Sequence, residues 1–69
     1  MDYEVIDSVL GDSVEPGDIV RAAGMLWEII SVRADDDFCI VFNATNLSDN
    51  DGEDTLTLDP NYTYDLMGI

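Results

Sequence analysis

The side chains that can do chemistry are few and one-sided in this chain of 69 residues. It contains 16 Asp and Glu residues, two Arg, no Lys and no His. A Ser, Thr or Cys nucleophile needs a base, usually His, and a Lys nucleophile is also missing. Paired carboxylates can act as acid and base in glycosidases, but that chemistry needs a deep cleft, which so short a chain seldom builds. The sequence therefore predicts a protein without enzymatic activity.

The single cysteine, Cys39, excludes two further kinds of chemistry. Structural zinc sites are built from several Cys and His ligands, and an internal disulfide needs a second Cys. Its neighbours Phe38 and Ile40 are apolar, which predicts a buried and inert thiol. No basic segment followed by an apolar run opens the chain, so we expect a cytoplasmic protein.

An acidic segment at 48–54 resembles the centre of an EF-hand calcium loop. When its glycine takes the glycine position of that loop, Asp49 and Asp51 take positions three and five. Leu47 and Leu58 then stand at positions one and twelve, where calcium needs its strongest ligands. We therefore expect a solvated acidic loop and no metal or cofactor, with weak divalent-cation binding as the alternative.

The net charge of −14 restricts the partners of this protein. Binding to nucleic acid needs a basic stripe, which Arg21 and Arg33 cannot provide against so many carboxylates. The same repulsion opposes an anionic membrane surface, and the longest apolar runs, 25–27 and 38–42, fall far below the roughly 20 residues that span a bilayer. We expect a soluble protein that binds neither nucleic acid nor membrane.

Short β-prone segments alternate with clusters of Gly, Pro, Asp and Asn, which is typical of a small all-β barrel. The expected architecture is one domain, 1–69, with an edge strand or arm at 1–15 and a partly open barrel of five or six strands at 16–67. A turn or one 3₁₀ turn at 59–61 precedes the last strand. The predicted strands cover 3–10, 19–22, 25–33, 38–43, 55–58 and 64–67.

Three local patterns add detail to this architecture. Pro and Gly occupy the second and third positions of 15–18, which predicts a type II turn. The adjacent Ile29 and Ile30 interrupt strict alternation, which indicates either burial of both strand faces or a bulge. Alternation with threonines places Leu56 and Leu58 on the inner face.

The order of elements resembles the SH3-like small barrel. Segment 16–32, with Pro16-Gly17-Asp18 before a strand and Trp27 in the next, looks like the opening hairpin of such domains. Segment 58–62, Leu-Asp-Pro-Asn-Tyr, is similar to the Pro-x-Asn-Tyr stretch before the last strand of SH3 domains, with one residue missing.

SH3 domains bind Pro-rich peptides through an aromatic groove and an acidic loop. The resemblance implies that Trp27 and Tyr62 contribute to such a groove. The Ala-Leu-Tyr-Asp-Tyr opening of that family is absent here, and small β-barrels of this kind serve many unrelated functions. We therefore do not expect SH3-type peptide binding as the main activity.

The high content of acidic residues is the remaining feature of the sequence that bears on function. Asp is common in turns, so some of the acidity simply marks loops, but the absence of Lys leaves a one-sided charge that costs stability by self-repulsion. Acidic side chains two apart on a strand stand about 6.6 Å apart, a spacing comparable to that of successive phosphates on one DNA strand. The acidic rows are Asp2 with Glu4, residues 35–37, and Asp49 with Asp51 and Glu53.

We therefore expect a protein-binding module that mimics DNA toward the basic surface of a host nucleic-acid-handling protein. Small phage-encoded inhibitors are similar in general appearance, being short, acidic and without catalytic residues, and they act in the host cytoplasm. Two acidic loops combined into one surface would form the contact. The candidate contact residues are Asp35, Asp36, Asp37, Asp49, Asp51, Glu53 and Asp54.

Two alternatives remain open. In a haloadapted protein, Asp-rich and Lys-poor composition keeps the surface hydrated in strong salt, and the carboxylates then spread around the molecule instead of forming a patch. In a structural or assembly protein, surplus apolar residues in 25–27 and 38–42 form an oligomer interface. Against that second alternative, we expect the N-terminal segment to cover the surplus through Tyr3, Val5, Val9 and Leu10.

Overall fold

The described part of the chain folds into one antiparallel sheet of six strands with the order β1-β6-β2-β3-β4-β5. The computed structural model describes residues 3–49 and 52–68. Its elements are β1 (Glu4–Leu10), a 3₁₀ helix η1 (Gly11–Ser13), β2 (Ile19–Ala22), β3 (Met25–Asp35), β4 (Ile40–Asn46), β5 (Glu53–Leu58) and β6 (Thr63–Gly68).

Strands β2 to β5 form a meander, β6 returns to pair with β2, and β1 adds to the outside of β6. In the described part of the chain no pairing joins β1 to β5, so the sheet is partly open. The prediction of an all-β, partly open architecture with five or six strands is confirmed. None of the described residues belongs to a helix with the length and hydropathy needed to cross a membrane.

Two turns set the geometry around β2. The Asp18 amide donates to the Glu15 carbonyl (3.1 Å), and Gly17 has a φ of 95°, as the predicted type II turn requires. Ala23 and Gly24 join β2 to β3 with φ values of 55° and 74°, which is typical of a type I′ turn. The conformation of each turn is thus determined by the residues within it.

The predicted interruption at Ile29 and Ile30 is a bulge. The register between β3 and β4 shifts between Ile29 and Ser31, and again between Val32 and Ala34. Ile29 is 1% exposed and Ile30 is 41% exposed, so the alternative of burial on both faces is wrong. Bulges increase local bending and twist, which lets the long strand β3 turn the sheet around its core.

The core lies on one face of this curled sheet. Leu56 and Leu58 point into it while the neighbouring threonines are exposed, as predicted. Trp27 is also buried, and its indole N–H donates to the Ala22 carbonyl (3.0 Å). The core residues are Val14, Val20, Ala22, Trp27, Ile29, Ile40, Phe42, Ala44, Leu56 and Leu58.

The prediction for 38–43 is wrong at its first two residues. The Asp36 amide donates to the Cys39 carbonyl (3.0 Å), which closes a turn, and β4 begins only at Ile40. Phe38 is 87% exposed at this turn, and Cys39 is partly exposed instead of buried. The apolar run therefore straddles a chain reversal.

The 3₁₀ helix lies at Gly11–Ser13, before β2, and not before the last strand. At 59–62 the chain forms a turn in which the Tyr62 amide donates to the Asp59 carbonyl (3.2 Å). The Gly11 amide donates to the Tyr62 carbonyl (3.0 Å), so these two connections pack against each other. The Asn61 backbone amide also donates to Asp59 Oδ1 (2.9 Å), which shapes the turn.

The N-terminal segment does not cover the surplus apolar residues as predicted. It extends the sheet as β1, where Val9 packs against the core while Val5 and Leu10 remain substantially exposed. The reason is that a strand that pairs edge to edge with β6 lies beside the sheet and not across its face. Phe38 and Met25 consequently stay exposed.

Candidate protein-binding surface

The candidate acidic residues occupy two separate connections. Asp35 ends β3, and Asp36 and Asp37 follow in the turn to β4, all three exposed. Asp49 follows β4, and two more candidates begin β5. Those two are Glu53 and Asp54, both exposed, and Asp51 lies outside the described residues.

The two connections lie at opposite ends of β4. Ile40, the first residue of β4, pairs with Asp35 on one side, whereas Thr45, near its last residue, pairs with Glu53. Five steps along a strand amount to about 17 Å. The two acidic loops are therefore not adjacent, because consecutive antiparallel hairpins that share a strand turn at its opposite ends. Their joint contact with one partner stays a prediction.

The hairpin tip, defined as residues 35–38, presents an aromatic ring beside three carboxylates. The turn is fixed by the Asp36 side chain, whose Oδ1 accepts a hydrogen bond from the Asp37 amide (2.6 Å). Phe38 is the most exposed large apolar residue among the described ones. An aromatic anchor with a charged rim is a frequent arrangement at protein interfaces. This anchor was not predicted, because the apolar run 38–42 is typical of a strand and Phe38 was assigned to it.

At the other end, the connection after β4 folds back onto the start of β3. The Leu47 amide donates to the Leu26 carbonyl (2.8 Å), and the Leu26 amide donates to Ser48 Oγ (2.9 Å). The Ser48 amide in turn donates to Asn46 Oδ1 (3.0 Å). Asp49 therefore follows a well-anchored segment.

Glu28 joins this second acidic group, although the sequence analysis did not select it. It pairs with Thr45, which also pairs with Glu53, so the two glutamates lie on the same sheet face about 10 Å apart. Asp54 pairs with the buried Ala44 and belongs to the opposite face. The alternation of Glu28 with buried Trp27 was the available signal for its outward position.

Further carboxylates are distributed over the remaining elements. Arg21 Nη2 and Asp65 Oδ2, 3.4 Å apart, form the one ion pair among the described residues, and both side chains are about half exposed. Such an exposed pair stabilises a protein by about 0–1 kcal/mol. The additional acids in described positions are Glu4, Asp7, Asp12, Glu15, Asp18 and Asp59. The acidity thus surrounds the molecule.

The described part of the surface includes two shallow grooves. One, of about 350 Å³, lies over β3, β4 and β5, where Asn43 Nδ2 donates to Ser31 Oγ (2.9 Å) near Arg33. The other, of about 260 Å³, contains Tyr62 and Tyr64, whose ring centroids are 5.1 Å apart in an edge-on arrangement. Neither groove lies beside a grouping of Cys, Asp and Glu suited to a metal ion, and none exists within 3–49 and 52–68.

The aromatic groove implied by the SH3 resemblance is not formed as expected. Trp27 is a core residue whose ring is buried, so it cannot line a groove together with Tyr62. Tyr64 takes the place beside Tyr62, and its hydroxyl accepts a hydrogen bond from the Asp59 amide (2.8 Å).

Comparison of the chain with protein-family models, with curated protein sequences and with solved structures finds no significant match. The candidate surface consists of an exposed aromatic residue that directly follows a triplet of aspartates at the tip of the β3–β4 hairpin.

Proposed function

We propose that this protein is a non-enzymatic, acidic protein-binding module on an SH3-like small barrel. Its partner is a nucleic-acid-handling protein, whose basic surface it occupies in place of DNA or RNA. In this proposal it acts as small phage-encoded inhibitors do, in the cytoplasm of the host cell. The observation that carries the proposal is the hairpin tip, where Phe38 is 87% exposed among Asp35, Asp36 and Asp37.

Charge and anchor have different tasks in this proposal. A net charge of −14 attracts a basic surface at a distance and accelerates association at low salt. Exposed charges contribute little net affinity, whereas an aromatic side chain buried in a partner pocket can dominate it. The tip combines both, so it is the favoured contact.

The separation of the two acidic groups sets the geometry of the contact. The tip and the group of Glu28, Asp49 and Glu53 stand at opposite ends of β4. A partner binds both only if its basic surface extends over about 17 Å. We propose that the tip is the primary contact and that the second group contributes through its long-range field.

One alternative has an observation of its own. The carboxylates lie on all sides of the molecule and are accompanied by no Lys, which is the distribution expected of a haloadapted protein. In that case the acidity maintains hydration in strong salt and has no partner.

The test is capture of proteins from lysate of the source or host cell, with the purified chain as bait, over a salt series and with added duplex DNA. We expect a nucleic-acid-binding protein to be captured at low salt and released by DNA. Its activity on nucleic acid should then be inhibited by the pure chain in a reconstituted assay.

Two variants with equal charge localise the contact. In the first, Asp35, Asp36 and Asp37 become Asn and Phe38 becomes Ala. In the second, three acids at the other end are neutralised as Asp49→Asn, Glu53→Gln and Asp54→Asn. We expect a loss of at least tenfold in affinity for the first and less than threefold for the second. Equal losses would remove the tip from the contact, and capture of no DNA-displaceable protein would favour haloadaptation.

A further inference from the structure

We propose that the free edge of β1 is a separate binding surface, which takes an extended partner segment of alternating apolar and basic residues as an added strand. This surface lies on a different element from the hairpin tip, so the proposal does not depend on the function proposed above. Strand addition at an open sheet edge is a general mode of peptide recognition, in which backbone bonds give affinity and side chains give specificity.

The edge is long enough for such pairing. β1 spans seven residues and stands first in the strand order, so among the described residues it pairs with β6 on one side only. Its register with β6 is regular from Asp7 to Leu10, after a shift between Val5 and Asp7. An edge strand with unpaired backbone groups is a template for another strand unless side chains block it.

A row of apolar side chains leads to this edge. Val5 pairs with Met67, which in turn pairs with Ile19, so the three side chains lie side by side on one sheet face. Met67 is 6% exposed and Ile19 is partly buried, but Val5 is 50% exposed. The row ends there because no strand follows, and an added strand would continue it.

Other apolar groups widen this edge. Ile6, at the bulge, is 63% exposed and lies against the backbone of Gly68, where a Cβ atom would come within 3.1 Å of its side chain. Leu10 is also exposed at the far end of the strand. Three exposed aliphatic side chains on one edge strand exceed the scattered single residues usual on a protein surface.

The negative charge of β1 determines which kind of segment can bind at this edge. Glu4 and Asp7 are both exposed on β1, and the whole molecule carries −14. A second copy pairing with β1 about a twofold axis at Asp7 would place two aspartates opposite each other, which is destabilising. A segment with Lys or Arg at alternate positions instead pairs its charges with these carboxylates.

Asp7 also makes the edge responsive to a basic partner. Its Oδ1 accepts a hydrogen bond from the Ser8 amide (2.8 Å), so in the free protein a carboxylate occupies that backbone donor. The bulge and this carboxylate both protect the edge from unselective pairing. A basic side chain that binds Asp7 displaces its carboxylate from the Ser8 amide. That amide can then donate a hydrogen bond to the incoming strand.

The test uses an acetylated nine-residue peptide of alternating Val and Lys as the probe. Binding is followed by NMR chemical shifts and amide exchange of the ¹⁵N-labelled chain. The control peptide has the same sequence with N-methyl groups at alternate backbone nitrogens, so it keeps the charge but cannot pair on that edge. We expect the first peptide to shift and protect amides of Glu4–Leu10, and to bind at least tenfold more tightly than the control.

A matched pair of variants tests the apolar row. Val5 and Val32 have nearly equal exposure, 50% and 49%, but Val32 lies on β3 away from this edge. We expect Val5→Thr to lower the affinity for the probe peptide about fourfold, through loss of a buried methyl group. Val32→Thr should leave that affinity unchanged.

Three results would overturn this proposal. They are equal binding of the N-methylated peptide, shifts centred on 35–38 instead of β1, and a concentration-dependent dimer of the free chain in sedimentation, which would assign the edge to a second copy. The tip variant with Asn at 35–37 and Ala at 38 separates the two proposals, because it should lower affinity for the captured partner at least tenfold and keep the response of β1 to the peptide.

Discussion

At the scale of single residues, Gly11 lies where two segments of backbone come close together. It is buried where η1 meets the connection before β6, and its amide bonds to Tyr62. A Cβ atom added at Gly11 would overlap the carbonyl of Asp59 and approach Pro60. Because the obstacle is backbone, a side-chain rotation cannot relieve it.

We therefore predict that Gly11→Ala lowers the free energy of unfolding by about 1–3 kcal/mol, the usual cost of overpacking. Urea denaturation followed by Trp27 fluorescence measures this loss. Gly52→Ala is the matched control, since a Cβ atom there meets no other atom within 4 Å. Its effect should stay within about 0.5 kcal/mol. Similar losses in both variants would show that the crossing at Gly11 is not tightly packed.

Residue positions were predictable from sequence where alternation was strict. Leu56 and Leu58 alternate with threonines, and the inward positions followed directly. Phe38 and Cys39 were assigned wrongly because composition alone does not mark the end of a turn made only of aspartates. Trp27 is buried with its indole N–H bonded to the Ala22 carbonyl, and no local sequence pattern indicates this bond.

At the scale of elements, β1 and β4 differ most in their strand pairing and in the number of buried side chains. β4 pairs with β3 and β5 and contributes buried Ile40, Phe42 and Ala44. β1 pairs with β6 alone, and only Val9 packs against the core. Local opening should therefore cost much less free energy at β1 than at β4.

We predict that amides of β1 exchange with solvent at least 100-fold faster than the slowest amides of β4 in native-state hydrogen exchange by NMR. Leu58→Ala, at a fully buried position, should lower the global free energy of unfolding by about 2–5 kcal/mol and thereby accelerate amide exchange in β4. It should change β1 much less, because β1 opens without global unfolding. Uniform exchange of both strands would show that β1 is an integral part of one cooperative unit.

The element order also explains what the sequence did and did not predict about the site. Gly, Pro, Asn and Asp clusters separated the six strands in the observed order, and β2 was predicted at its observed bounds. β3 runs two residues further than predicted, and β4 begins two residues later. The two acidic loops were nevertheless expected together. Their separation follows from the predicted hairpins themselves, since β4 takes part in both. Glu28 was missed because its neighbourhood with Glu53 depends on register across three strands, which composition does not reveal.

At the scale of the whole molecule, the charge of −14 acts against folding. The described chain measures 34 × 24 × 19 Å, and its carboxylates lie on every side. The Debye length is about 30 Å at 0.01 M salt and about 8 Å at 0.15 M. At the lower salt concentration almost all pairs of carboxylates repel one another, whereas at the higher one only neighbours do.

We therefore predict that the melting temperature rises between 0.01 M and 0.15 M NaCl by on the order of 5 °C, which corresponds to about 1 kcal/mol for a domain of this size. Differential scanning calorimetry at neutral pH measures it.

Replacing Asp35, Asp36 and Asp37 by Asn removes three like charges, so this variant should melt higher at low salt and respond less to added salt. Neutralising Asp49, Glu53 and Asp54 should have a similar effect at 0.01 M, because at that range the position of a charge matters little. An effect confined to one of the two variants would mean that local contacts, and not the summed field, set the stability. A melting temperature that falls with salt would show that the Arg21–Asp65 pair outweighs the repulsion.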